Sequence, residues 1–158
     1  MKRIALPGCV REHFGEYSTF VALVSREGGD WGSVVVEAAR AVPVLQNLNV
    51  ADLKNTVLGI SSKDAFDVAR LISGGSLLYG PPRPIENAQR DACLLNLFEA
   101  LGEHAEFFTN HGEAEDGETG DFSTLSCHVN VLAETTIDVC LIGVSDSKVL
   151  ILWRFEDD

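Results

Sequence analysis

Cys140, His128 and Asp138 are the residue types of a thiol nucleophile, the base that takes its proton, and the acid that orients the base. The segments around them alternate apolar and polar residues, as strands do. Suppose segments 122–132 and 136–144 pair antiparallel, with Val129, Val131, Ile137 and Val139 on one face. Odd positions then oppose odd ones, and even positions oppose even ones. His128 faces Cys140, Asn130 faces Asp138, Cys127 faces Leu141, and Asp138 is diagonal to His128. A catalytic trio is possible in that register. Cysteine, however, usually packs as a small hydrophobe, and His128 and Asp138 suit the solvated face of a sheet. No residue is assigned a catalytic role on these grounds.

Metal binding could draw on His104, His111, His128 and the cysteines. None of them shows a spacing such as HExxH or CxxC, and neighbours on a strand, such as Cys127 and His128, point to opposite faces. No metal or other cofactor is therefore expected. Ser73-Gly74-Gly75-Ser76 lacks the Lys and the following helix of a phosphate loop. Arg and Lys do not cluster with aromatic residues, so direct nucleic-acid binding has no footprint.

The charge distribution is more informative. The formal net charge is -12. Residues 1–90 hold ten Lys/Arg and nine Asp/Glu, whereas residues 91–147 hold twelve acids and no Lys or Arg. Five of those acids, Glu113, Glu115, Asp116, Glu118 and Asp121, fall in the segment 110–121, which also has three glycines and no bulky apolar residue. It reads as an exposed, mobile loop. The loop leads into the strand that carries Ser126, His128 and Asn130, beside the strand that carries Asp138. Loop and polar sheet face together would form one negative patch. Such a patch repels nucleic acid and anionic membrane and steers a basic protein toward itself.

The elements that must hold this patch read as α+β. Residues 17–24 suit a strand. Asp30 can cap a helix through about Arg40, although Val34-Val35-Val36 argues for a strand. Residues 50–58 suit a short helix, and Ser61 suits the cap of the next, which Gly74 and Gly75 end. The clearest element is a helix over 85–101, with a stripe of Ile85, Ala88, Ala92, Leu95 and Phe98, widened by Leu94, Leu97 and Leu101, and stopped by Gly102. Strands at about 104–109, 122–132, 136–144 and 148–155 then make a C-terminal meander. The last is apolar on both sides, so it belongs inside the sheet or under a helix. A pocket, if present, is expected between helix 85–101 and the sheet.

At 158 residues the chain suits one globular domain spanning 1–158. No apolar run reaches the length of a membrane span. The cytoplasm is the expected compartment, with Cys9, Cys93, Cys127 and Cys140 as reduced thiols. This size, the missing catalytic motif, the acidic loop 113–121 and the meander 122–155 resemble, at the level of class, small acidic immunity proteins that bacteria use to neutralise toxic nuclease domains. The resemblance implies direct binding of a cognate toxin through the acidic surface. Two further functions stay open. One is a phage- or plasmid-type inhibitor that imitates nucleic-acid charge, and the other is a small-ligand-binding or enzymatic domain. The oligomeric state is left open.

Overall fold

The computed structural model describes residues 1–15, 18–74, 77, 86–123 and 129–157, with residues 117–119 described for their backbone alone. Strands β1 (Arg3–Ile4), β2 (Thr19–Ser25), β3 (Leu58–Ile60), β4 (Glu106–Thr109), β5 (Ile137–Val144) and β6 (Lys148–Glu156) form a six-stranded sheet. Its order is β1-β2-β6-β5-β4-β3, and every pairing is antiparallel. Helices α1 (Val10–Phe14), α2 (Trp31–Ala39), α3 (Val50–Thr56), α4 (Ser62–Ser73) and α5 (Ala88–Leu101) complete the α+β fold.

The sheet is buried on both faces. Ala22, Val24, Cys140, Ile142, Ile151 and Trp153 pack with α2 and α3 on one side. Leu23, Val139, Leu141, Leu150 and Leu152 pack with α1, α4 and α5 on the other. β6 lies between β2 and β5, which is the interior position its two apolar sides require. The Val34-Val35-Val36 run is helical, with all three residues buried. Burial against the sheet and an Asp30 cap, whose carboxylate accepts from Ser33 N at 3.1 Å, override the strand propensity of valine.

α4 starts where Ser61 accepts from Asp64 N at 3.1 Å. Replacing Ser61 with alanine orphans that N–H. We expect a loss of about 1 kcal/mol and a fall in Tm of about 2–4 °C by calorimetry. An unchanged Tm would show that water serves the amide equally well.

Several expectations are corrected. α5 runs from Ala88, capped by Asn87, and Ile85 lies outside the described residues. Its buried side carries Arg90, Cys93, Leu94, Leu97 and Leu101, whereas Ala88, Ala92 and Leu95 face solvent and Phe98 is half-buried. Both stripes have helical spacing, and packing against α4 selects one of them. β4 takes the part of the β5 edge at 141–144 that segment 122–132 was expected to take: Thr109 opposes Leu141 and Glu106 opposes Val144. Between β4 and β5 the described residues form a 3-10 helix, Gly112–Thr119, bury Phe122, and bridge Val129 to His111. Residues 124–128 are outside the described part.

On the edge where the register was expected, Leu141 takes Thr109 as its partner instead of Cys127, and Asn130 N bonds the Asn110 carbonyl, while His128 lies outside the described residues. On its other edge β5 pairs with β6, with Cys140 opposite Trp153 and Asp138 opposite Phe155. Against the expected reduced thiols, Cys9 and Cys93 form a disulfide; Cys140 is a free thiol, buried, and Cys127 lies outside the described residues. Among the described residues, no helix is long and apolar enough to cross a membrane.

Candidate functional site

β4 ends at Thr109, and the next residues tie the departing chain to the sheet. Thr109 Oγ1 donates to the Cys140 carbonyl at 2.7 Å and accepts from His111 N at 3.1 Å. Asn110 is the junction. Its Oδ1 accepts from Cys140 N at 2.8 Å, and its Nδ2 lies 3.1 Å from the Asn130 carbonyl and 3.2 Å from both the carbonyl and Oδ2 of Asp138. Asn130 N donates back to the Asn110 carbonyl at 3.1 Å. One side chain thus joins β5 to both arms of the long connection.

Asp138 holds the second arm. Its Oδ1 accepts from Leu132 N at 2.9 Å, and its Oδ2 accepts from Trp153 Nε1 at 2.7 Å. The residue is fully buried. Burial pushes its pKa above the ordinary carboxylate value. The Trp153 indole N–H, the Leu132 and Ala133 amides and Asn110 all pull the other way without cancelling it. Asp138 is therefore a structural acceptor and cannot present its charge to a partner.

His111 is also buried, beside Phe122 with ring centroids 5.2 Å apart. Its Nδ1 accepts from Glu113 N at 3.1 Å, which caps the 3-10 helix. The expected mobile loop 110–121 is thus a short helix anchored at its start. Glu113 is half-buried, and its Oε2 lies 3.4 Å from Asp121 N. Asp121 Oδ1 accepts from Ser123 N at 3.0 Å. Glu115 Oε1 accepts from Asn130 Nδ2 at 3.2 Å, so Asn130 does lie beside the turn. Glu115, Asp116 and Asp121 are exposed, and Asn130 is half-buried. The Glu118 side chain, Ser126 and His128 lie outside the described residues.

The twelve acids of residues 91–147 do not share one surface. Asp91 accepts from Arg70 Nε at 3.1 Å and Nη2 at 3.0 Å, and a further pair with Arg90 sits at 3.2 Å. The Arg70 guanidinium holds its pKa below the usual carboxylate range. Glu134 pairs with Asn47 at 2.6 Å. Glu106 opens β4 and Asp146 follows β5, so both lie at the other end of that strand pair from the acidic turn. Among the described acids of this stretch, Glu113, Glu115, Asp116 and Asp121 share the acidic turn.

The chemistry open to this site is narrow. Cys140 is fully buried, and burial and the neighbouring Asp138 push its thiol well up, so no thiolate nucleophile forms there. Among the described residues, no group of three His, Cys, Asp or Glu side chains could hold a metal. Leu94 and Leu97 of α5 are fully buried in the layer beside the sheet. A cavity of about 370 Å³ adjoins the start of α5, lined by Arg70, Asn87, Arg90 and Asp91, and an open groove of about 860 Å³ lies by the first turn of α4, between Ser61–Asp64 and Ala105–Phe108. Asn110 and Trp153 carried no sequence signal for their roles, because their partners on β5 are distant in the chain. No family model, curated protein or solved structure matches the chain.

Proposed function

We propose that the chain is an acidic protein-binding inhibitor, of the kind exemplified by immunity proteins that neutralise a cognate toxin by direct contact. One observation carries this reading. The acidic turn is built on the sheet through Asn110, His111 and Asn130, so Glu113, Glu115, Asp116 and Asp121 sit on an ordered support. A preordered set of carboxylates loses less conformational entropy on docking than a free loop does. Its complement is a basic protein site, such as the Lys and Arg residues with which a nuclease grips phosphate. Charge pairing of that sort raises the association rate and selectivity more than bulk affinity. Asp138 is no longer part of this surface, since it is buried.

The test is the triple variant Glu115→Lys, Asp116→Lys, Glu118→Lys. Wild-type protein used as bait in extracts of its host should retain a basic partner. The variant should associate with that partner about tenfold or more slowly at low salt, with nearly unchanged Tm. Equal association rates would remove the turn from the interface. A partner that DNA displaces, with affinity falling steeply in salt, would identify the nucleic-acid-mimicking form of inhibitor instead.

A further inference from the structure

The disulfide between Cys9 and Cys93 closes 84 residues of chain and joins the N-cap of α1 to α5. Beyond the bridge, the first fourteen residues are fastened by short, separate contacts: Lys2 N donates to Ser25 Oγ at 3.1 Å, Arg3 Nη2 to the Ala38 carbonyl at 3.4 Å, and Thr19 Oγ1 to the Phe14 carbonyl. β1 pairs with β2 only through Arg3↔Val24 and Ile4↔Leu23. α1 has five residues and no side-chain cap, far short of a helix that stands alone. Val10 and Phe14 are its buried residues, in the core layer that includes Val68 and Ile72 of α4 and Leu94 of α5. Beneath β1 lies β2, Thr19–Ser25, seven residues without a charge, whose other edge is paired to β6. Uncovered, such an edge is a template for pairing with another strand.

We propose that the Cys9–Cys93 bridge is a redox-operated latch on the N-terminal segment. Joined, it holds residues 1–14 across α4 and α5 and over the β2 edge. Cut, it lets that segment come away while the rest of the sheet stays folded, a local opening rather than global unfolding.

The chemistry is thiol–disulfide exchange with a small thiol or dithiol reductant. Cys9 is partly exposed and Cys93 is 1% exposed, so the reductant thiolate attacks Cys9 Sγ. The Sγ–Sγ bond breaks, and Cys93 leaves with the electron pair and takes up a proton. A second reductant thiol resolves the mixed disulfide on Cys9 and departs as the oxidised reductant. Two electrons and two protons enter the protein, and a disulfide oxidant reverses the change. Buried Cys140 takes no part.

Peptide mapping and hydrogen exchange test this on the full chain, oxidised, reduced with dithiothreitol, and as Cys9→Ser. The oxidised protein should yield the linked Cys9–Cys93 peptides. Three amides report the segment: Val10 N bonds Pro7 O, Glu12 N bonds Cys9 O, and Ser25 N bonds Lys2 O. On reduction, and in Cys9→Ser without reductant, they should exchange about 100-fold faster or more, as expected for a segment opening on its own, while Cys140 N stays protected. The proposal is overturned by absence of the linked peptides after refolding in a glutathione couple, or by unchanged exchange at the three amides. It is equally overturned if Cys140 N speeds up alongside them, since the bridge then supports the whole fold.

Discussion

Replacing Asp138 with alanine should lower the free energy of unfolding by about 3–5 kcal/mol, because several buried donors lose their acceptor at once. Trp153 Nε1, Leu132 N and Asn110 Nδ2 all point at this carboxylate from within 3.2 Å. Denaturant midpoints at constant slope would measure the loss. A loss under about 1 kcal/mol would mean that the donors find other partners, against the usual cost of orphaning them.

The Asp138→Asn variant adds a pH test. Asn keeps the size and one acceptor but turns an NH₂ toward a donor, so it should also destabilise. The folded carboxyl has its pKa raised above the ordinary 3.8 by burial, so the native state holds this proton more tightly than the unfolded chain. The resulting stabilisation is complete below the unfolded value and is lost as pH rises through the folded one. Asn does not titrate. The stability gap between wild type and Asp138→Asn should therefore be widest in acid and narrow toward neutrality. A gap that widens with rising pH would contradict this account.

The second large effect belongs to Asn110→Ala. That change strips the acceptor from Cys140 N and the donor from the Asn130 and Asp138 carbonyls. We expect a loss of about 2–4 kcal/mol, summing over buried groups left unpaired. It should also loosen the connection between β4 and β5, with faster exchange at Asn130 N, whose acceptor is the Asn110 carbonyl. Because the same junction supports the acidic turn, partner association should weaken without any change in charge. Binding that survives with full rate would show that the turn needs no support from the sheet.

Much of the local structure was legible because its causes are local. Asp30 and Ser61 cap their helices through amides three residues on, and Gly102 takes φ 109° just past α5. The double-sided apolar pattern of β6 placed it inside the sheet. The acidic turn was readable as a charge run, though its 3-10 form was not, since His111 and Asn130 order it from a distance.

Hydrophobic period and charge order along the chain determined the α+β class, most helix ends, and the position of the acidic segment. Only the tertiary structure decided which stripe of α5 turns inward, that β4 pairs with β5, that Asp138 is interior, and that Cys9 meets Cys93. Alternation shows that a residue has two possible faces, and helical spacing shows that several stripes are possible. The choice depends on neighbours brought from 28 residues away, as for Asn110 and Asp138, or from 84 away, as for the two cysteines. Contacts at that separation leave no periodic trace in the chain.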